Sequence, residues 1–338
     1  MASGPFPAGL PQLGVVTYAG ATAIQQAIAR SATGMTGNVF YVDPVNGLDG
    51  NTGQLPTSAV QTIAAGYALM TSGNNDVLVL IGNGAASGSA RITSFTWAKN
   101  ACHLIGVCAP SAVSQRARIA FPTTSGLTVT AAFFTVSGNG CLFQNLSFFQ
   151  GAGAGQTGIA AAICLTVTGS RNAFVNCDIE GMGDATSATS STSRNVLISA
   201  GGQENYFGHC NIGLDTVIRT NANASVEVSG GAPRNSFEHC TFPIWSSDGL
   251  QYFFLASAAA ALDRWVLFKG CNFINAITAT GGTAIAQAFK VAAGNGIVAF
   301  DSTSGLFGVT AIGDSTTKGL TYVSGGTATN GVKGIVAT

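Results

Sequence analysis

The sequence predicts an all-β solenoid, a parallel β-helix, and two observations carry that expectation. The first is a phrase repeated five times: Phe143-Gln144-Asn145-Leu146-Ser147-Phe148, Phe174-Val175-Asn176-Cys177-Asp178-Ile179, Phe207-Gly208-His209-Cys210-Asn211-Ile212, Phe237-Glu238-His239-Cys240-Thr241-Phe242 and Phe268-Lys269-Gly270-Cys271-Asn272-Phe273. Its leading phenylalanines are 31, 33, 30 and 31 residues apart. A fixed period in this range marks a unit that buries its apolar face only by stacking on its neighbours. The second observation is the third position, which reads Asn145, Asn176, His209, His239, Gly270. These residue types accept a left-handed backbone at least cost. The two large apolar residues of each phrase stand five apart, the wrong parity for one straight strand facing one core. A corner at the third position removes the conflict, because both side chains then point inward from successive strands. A helical repeat would show a 3.6-residue period and need no such corner.

Taken in order, residues 1–37 read as an arm. Pro5, Pro7 and Pro11 keep its start extended, and Thr22 to Ala32 has the pattern of one short helix. The arm is either a leader or an anchor onto a neighbouring subunit. Residues 38–75 read as a cap: a strand at 40–43, a Gly/Asn-rich loop at 46–53, then helical spacing from Ile63 to Met70. Such a cap shields the core that the first turn of a solenoid would otherwise expose. The body runs over 76–304 and opens on Asp76-Val77-Leu78-Val79-Leu80-Ile81-Gly82; Cys102 to Val107 repeats the corner, with Gly106 expected in the left-handed slot. A second apolar strand precedes each phrase, beginning with Phe133-Phe134-Thr135-Val136 and Ile163-Cys164-Leu165-Thr166-Val167. Residues 287–300 form a last, degraded turn. The tail, 305–338, keeps a loose apolar alternation suited to closing the coil or adding strands to a partner.

The Phe/Ile-x-Asn/His-Cys-x-Ile/Phe phrase resembles the coil repeat of right-handed β-helix proteins of the pectin-lyase-like class, over roughly Asn38 to Phe307. The strand–loop–helix before it looks like the N-terminal cap of many β-helix proteins, numerous bacteriophage ones among them. The resemblance implies a fold and leaves activity open, since the class holds lyases, hydrolases and inert virion proteins.

Composition narrows the choice. Fourteen basic and 14 acidic residues make up 8% of the 338, with zero formal net charge, about a third of the charged share usual in a soluble domain. No Lys/Arg cluster occurs, which argues against nucleic acid or an anionic membrane as partner. No apolar run reaches membrane-spanning length. Of eight cysteines, Cys177, Cys210, Cys240 and Cys271 occupy one slot of successive turns and are expected as a buried column of small apolar side chains. The start, Met1-Ala2-Ser3-Gly4-Pro5, lacks the basic and apolar runs of a secretory leader, so free thiols in a chain made in a host cytoplasm are the expectation.

Chemistry is sparse. Glycoside hydrolysis needs two carboxylates at a defined separation, and here Asp178 has only Ser147, Asn211, Thr241 and Asn272 in its column. The best constellation is Asp184, Asp215 and Asp248, each five to eight residues past its Cys slot, with Trp245 nearby. They suit one groove, and solvated turn acids account for them equally well. Asp43, Asn46, Asp49 and Asn51 offer hard oxygen ligands on a Gly-rich loop, while Asx-turns explain the same residues without metal. His209 and His239 suit the corner and lack a third metal ligand. Trp97, Trp245 and Trp265 are expected in the core. No cofactor is expected.

The function expected is that of a structural virion protein, a homotrimeric decoration or cement subunit on the capsid surface, bound to the major capsid protein. Neutral Ser/Thr/Asn/Gly surfaces pack against neighbours without desolvating ions. The alternative is a tailspike-like protein that binds or cleaves host surface glycan. Its usual head-binding and trimerisation domains find little room in a 37-residue arm and a 34-residue tail.

Overall fold

The computed structural model describes residues 37–108, 117–258, 261–262, 264–278, 280–291 and 296–313, with the strands Leu320–Tyr322 and Ile335–Val336. The arm and its expected helix lie outside the described residues, as does most of the tail. The chain winds into a β-solenoid of about seven turns, each about 31 residues long. Three parallel sheets form its walls. In each full turn the chain passes through the seven-stranded sheet first (Ile163–Val167, Arg194–Ile198), then the eleven-stranded (Ala173–Val175, Tyr206–Gly208), then the nine-stranded (Asp178–Glu180, Asn211–Ile212). We call these the first, second and third sheets. One antiparallel pair, Leu320–Tyr322 with Ile335–Val336, ends the second sheet.

The repeated phrase turns the corner between the second and third sheets. Asn145, Asn176, His209, His239 and Gly270 all have positive φ, between 51° and 60°. Register then places like on like. Phe143, Phe174, Phe207 and Phe237 pair in turn, and their rings stack 4.7–4.9 Å apart within 11° of parallel. The spacing of parallel strands sets that of the rings, and each ring is fully buried between its neighbours. Cys177, Cys210, Cys240 and Cys271 follow the corner, buried and free of disulfides. Each thiol donates to the carbonyl of the phenylalanine one turn earlier: Phe143, Phe174, Phe207 and Phe237 respectively, at 3.3–3.5 Å. Burial pushes the Cys177, Cys210 and Cys240 thiols well up, which keeps them protonated and unreactive.

Gly106 departs from the expectation. It occupies the slot of Asn145 yet stays extended inside the strand Cys102–Val107. A Cβ there would stand 2.0 Å from the Asn145 carbonyl oxygen and 2.4 Å from Ala117 Cβ. Close approach of the next turn, rather than backbone freedom, demands this glycine.

The cap is a strand, Val39–Val42, and a helix, Ile63–Leu69, N-capped by the Thr62 hydroxyl. Asp76 is fully buried and accepts from Asn38 N, Thr71 N and Asn74 Nδ2 at 2.6–2.7 Å. Tyr67 and Lys99 clasp cap to coil. The Tyr67 hydroxyl accepts from Ala98 N and Lys99 N at 2.8 Å, while Lys99 Nζ donates to the carbonyls of Tyr67 and Met70 at 2.6 Å. Tyr67→Phe removes the acceptor from both N–H groups and is expected to cost about 1–3 kcal/mol. Faster hydrogen exchange at Ala98 and Lys99, with the later turns unchanged, is the expected readout; unchanged exchange at both amides would show that the clasp carries no load.

Candidate functional site

The outer face of the third sheet carries a buried ion pair. Register lines up Arg118, Ser147, Asp178, Asn211, Thr241 and Asn272 in one column. Alternation then sends Asp178 and Glu180 outward while Ile179 enters the core. Both carboxylates are nevertheless buried. Arg118 Nη2 donates to Glu180 Oε2 at 2.9 Å, and the Arg118 guanidinium lies 4.1 Å over the Phe149 ring. Arg118, Phe149 and Glu180 come from three successive rungs of the sheet. The group fastens those rungs, since separating such a buried pair exposes an uncompensated charge.

The three acids singled out from the sequence have different employments. Asp184 caps the short helix Ala185–Ala188, accepting from Ser187 N at 3.0 Å, and also receives Ala152 N at 3.2 Å. Asp248 holds a turn, accepting from Asn221 N, Leu250 N and Gln251 Nε2 at 2.6–3.1 Å. These donors outweigh partial burial and hold its carboxyl below the usual range. Asp215 and Asp248 are exposed and Asp184 is half-buried, Asp215 lying on the strand Leu214–Arg219. Among the described residues no three His, Cys, Asp or Glu side chains are grouped to hold a metal ion.

The cap loop is tied up in the same way. Asp43 accepts from Val45 N, Asn46 N and Asn46 Nδ2, and Asp49 from Gln61 N, Thr62 N and the Thr62 hydroxyl. Asn51 donates to the Ala59 carbonyl at 2.9 Å. On the corner, the exposed rings of His209 and His239 stack 5.1 Å apart and 18° from parallel. A Cβ on Gly270 would strike His239 Nδ1 at 2.5 Å, so the ring below and the positive φ both select glycine there. Trp97 is buried and donates to the Cys102 carbonyl. Trp265, expected in the core, is 39% exposed: it starts its strand in register with Ile297, one residue before the inward Val266.

An internal polar ladder lies outside the candidates drawn from the sequence. Asn172, Asn205 and Asn235 are buried where the chain enters the second sheet. Asn172 Oδ1 accepts from Cys141 N, Asn205 Oδ1 from Asn172 N, and Asn235 Oδ1 from Asn205 N, at 2.8–2.9 Å. Their amide nitrogens donate to the carbonyls of Gly138, Gly169 and Gly202. The signal was present: each asparagine stands two residues before the phenylalanine of its phrase.

No protein-family model matches the chain, and no curated protein matches it in sequence. Solved structures do. A pectin methylesterase in complex with a hexasaccharide superposes with a TM-score of 0.55 at 14% identity, over 88% of this chain and 93% of that one. The pectate lyase Pel9A gives 0.52 at 18% identity over 80% of this chain, which spans 64% of that enzyme's length. A rhamnogalacturonan lyase gives 0.50 at 14%, covering 80% and 68%. At such identities the likeness is one of fold: a right-handed parallel β-helix of the pectate-lyase-like type.

Proposed function

We propose that the chain is a structural virion protein, a capsid cement or decoration subunit that acts as a homotrimer on the major capsid protein. One observation carries the reading: three carboxylates of the coil are spent on architecture. Asp184 caps a helix, Asp248 locks a turn, and Glu180 pairs with Arg118 inside the wall. A glycoside hydrolase needs an acid and a second carboxylate facing one substrate across a set gap. The scarcity of charge supports the same reading, because neutral polar faces desolvate cheaply against a neighbouring subunit.

The second reading is a β-helix that binds or cleaves host surface polysaccharide. It is favoured by the fold shared with pectin-processing enzymes and by exposed rings at Trp265 and Phe307. Quantitative mass spectrometry of purified virions separates the two. A copy number comparable with that of the major capsid protein is expected. A few dozen copies or fewer would move the chain to the tail, and none would overturn both virion roles. Incubation with bacterial surface glycans is expected to leave them intact. Cleavage that stops in Asp215→Ala or Asp184→Ala would replace the structural reading with an enzymatic one.

A further inference from the structure

Arg219 is fully buried at the corner where the third sheet gives way to the first. Its Nε donates to Asn223 Oδ1 at 2.8 Å and its Nη1 to Ser225 Oγ at 3.2 Å, both neutral acceptors. Nη2 has no acceptor, and none of the ion pairs among the described residues includes Arg219. Asn195 lies beside Ser225, one turn earlier in register. Its Oδ1 accepts from Gly181 N at 3.0 Å, which fixes the orientation of the amide. Its Nδ2 then faces Gly213, where a Cβ would stand 3.3 Å away, and it too has no acceptor. Ser225 Oγ is already an acceptor from Arg219, so its hydroxyl hydrogen is available to a third party.

Two buried donors without acceptors, the Ser225 hydroxyl and one positive charge thus lie on adjoining turns at a corner that supplies no anion. A lone guanidinium in a low-dielectric interior is strongly unfavourable unless a counter-charge accompanies it. Burial, reinforced by the charge of Arg194, holds Arg219 down to about 9, so it is still a cation at neutral pH. Arg194 has its own partner in Glu227. We propose that this corner is a binding site for a small monovalent anion of chloride size, held by Arg219 Nη2, Asn195 Nδ2 and the Ser225 hydroxyl. A single charge balances the guanidinium, and a spherical acceptor meets three donors without demanding a fixed fork. A phosphate or sulfate brings more charge and more oxygens than these donors match.

Thermal unfolding of the full chain at one scan rate, in sodium chloride and then in sodium gluconate of equal ionic strength, tests the site. The apparent Tm is expected to fall by about 5 °C in gluconate, which is too large to enter. A bromide-soaked crystal is expected to show an anomalous peak within hydrogen-bond reach of Arg219 Nη2 and Asn195 Nδ2. Asn195→Asp supplies the negative charge covalently and is expected to lose the chloride dependence. Should that variant not fold, Arg219→Met removes the cation and is expected to lose it as well. Equal Tm in both salts, a water in place of the bromide, or a folded variant that keeps the full chloride response would overturn the proposal.

Discussion

Asn205→Ala is expected to lower the unfolding free energy by about 3–5 kcal/mol, the largest single-site effect anticipated for the coil. Asn205 Oδ1 is the acceptor for Asn172 N, and its Nδ2 donates to the Gly169 carbonyl and to Asn235 Oδ1 at 3.1–3.2 Å. All three asparagines are buried, so alanine leaves a backbone N–H and a carbonyl without partners where water does not reach. Each such orphan costs about 1–3 kcal/mol. Asn205→Asp keeps the acceptor but forfeits the donor and adds charge to an apolar corner, so it is no rescue. A stacked coil is coupled mainly through nearest neighbours. The damage should therefore centre on the turns carrying Asn172 and Asn235, as faster hydrogen exchange at the Asn172 and Cys141 amides. A urea midpoint within error of wild type would mean that water has replaced the ladder at little cost.

Acid is expected to destabilise the cap end through His103. The ring is buried in the second sheet; its Nδ1 accepts from Leu142 N at 3.0 Å, and Nε2 faces Asn75 Oδ1 at 3.4 Å. That geometry uses the neutral tautomer protonated on Nε2. Burial lowers the pKa from 6.5 to about 4, against a smaller opposing pull from Asp76. The unfolded chain therefore binds a proton that the folded one refuses. Stability is fully present above pH 6.5 and is lost as pH falls towards 4, by about 3 kcal/mol if His103 acts alone. The lowered carboxyls of Asp43, Asp248 and Asp301 contribute a further loss at lower pH, below the ordinary aspartate value of 3.8. Urea midpoints at pH 7.5 and pH 4.5 measure the first window. His103→Gln should flatten it whatever its stability at neutral pH, and an equal slope in wild type and variant would remove His103 from the account.

Much of this molecule is legible from one chain because its order is periodic. The corner residues, the phenylalanine stack and the cysteine column follow from a repeat of about 31 residues, since every turn must present the same side chain at the same height. Gly106 and Trp265 escaped that logic: a neighbouring backbone decides the first and a place at the start of its strand, one residue before the inward Val266, the second. The candidate acids were visible as residues but not as tasks. Asp184 and Asp248 sit in loops of unequal length, and a period does not say which N–H groups will surround them.

The sequence alone determined the solenoid, its rise from turn to turn and which face of each strand enters the core, because strand alternation and the left-handed corner are local properties of the chain. Only the tertiary structure decided which polar groups are sealed inside. Arg118 meets Glu180 across 62 residues, and Arg219 finds neutral partners and no carboxylate. The cost of burying a charge depends on the atoms that enclose it. Those atoms are assembled from several turns, and no local pattern along the chain records their meeting.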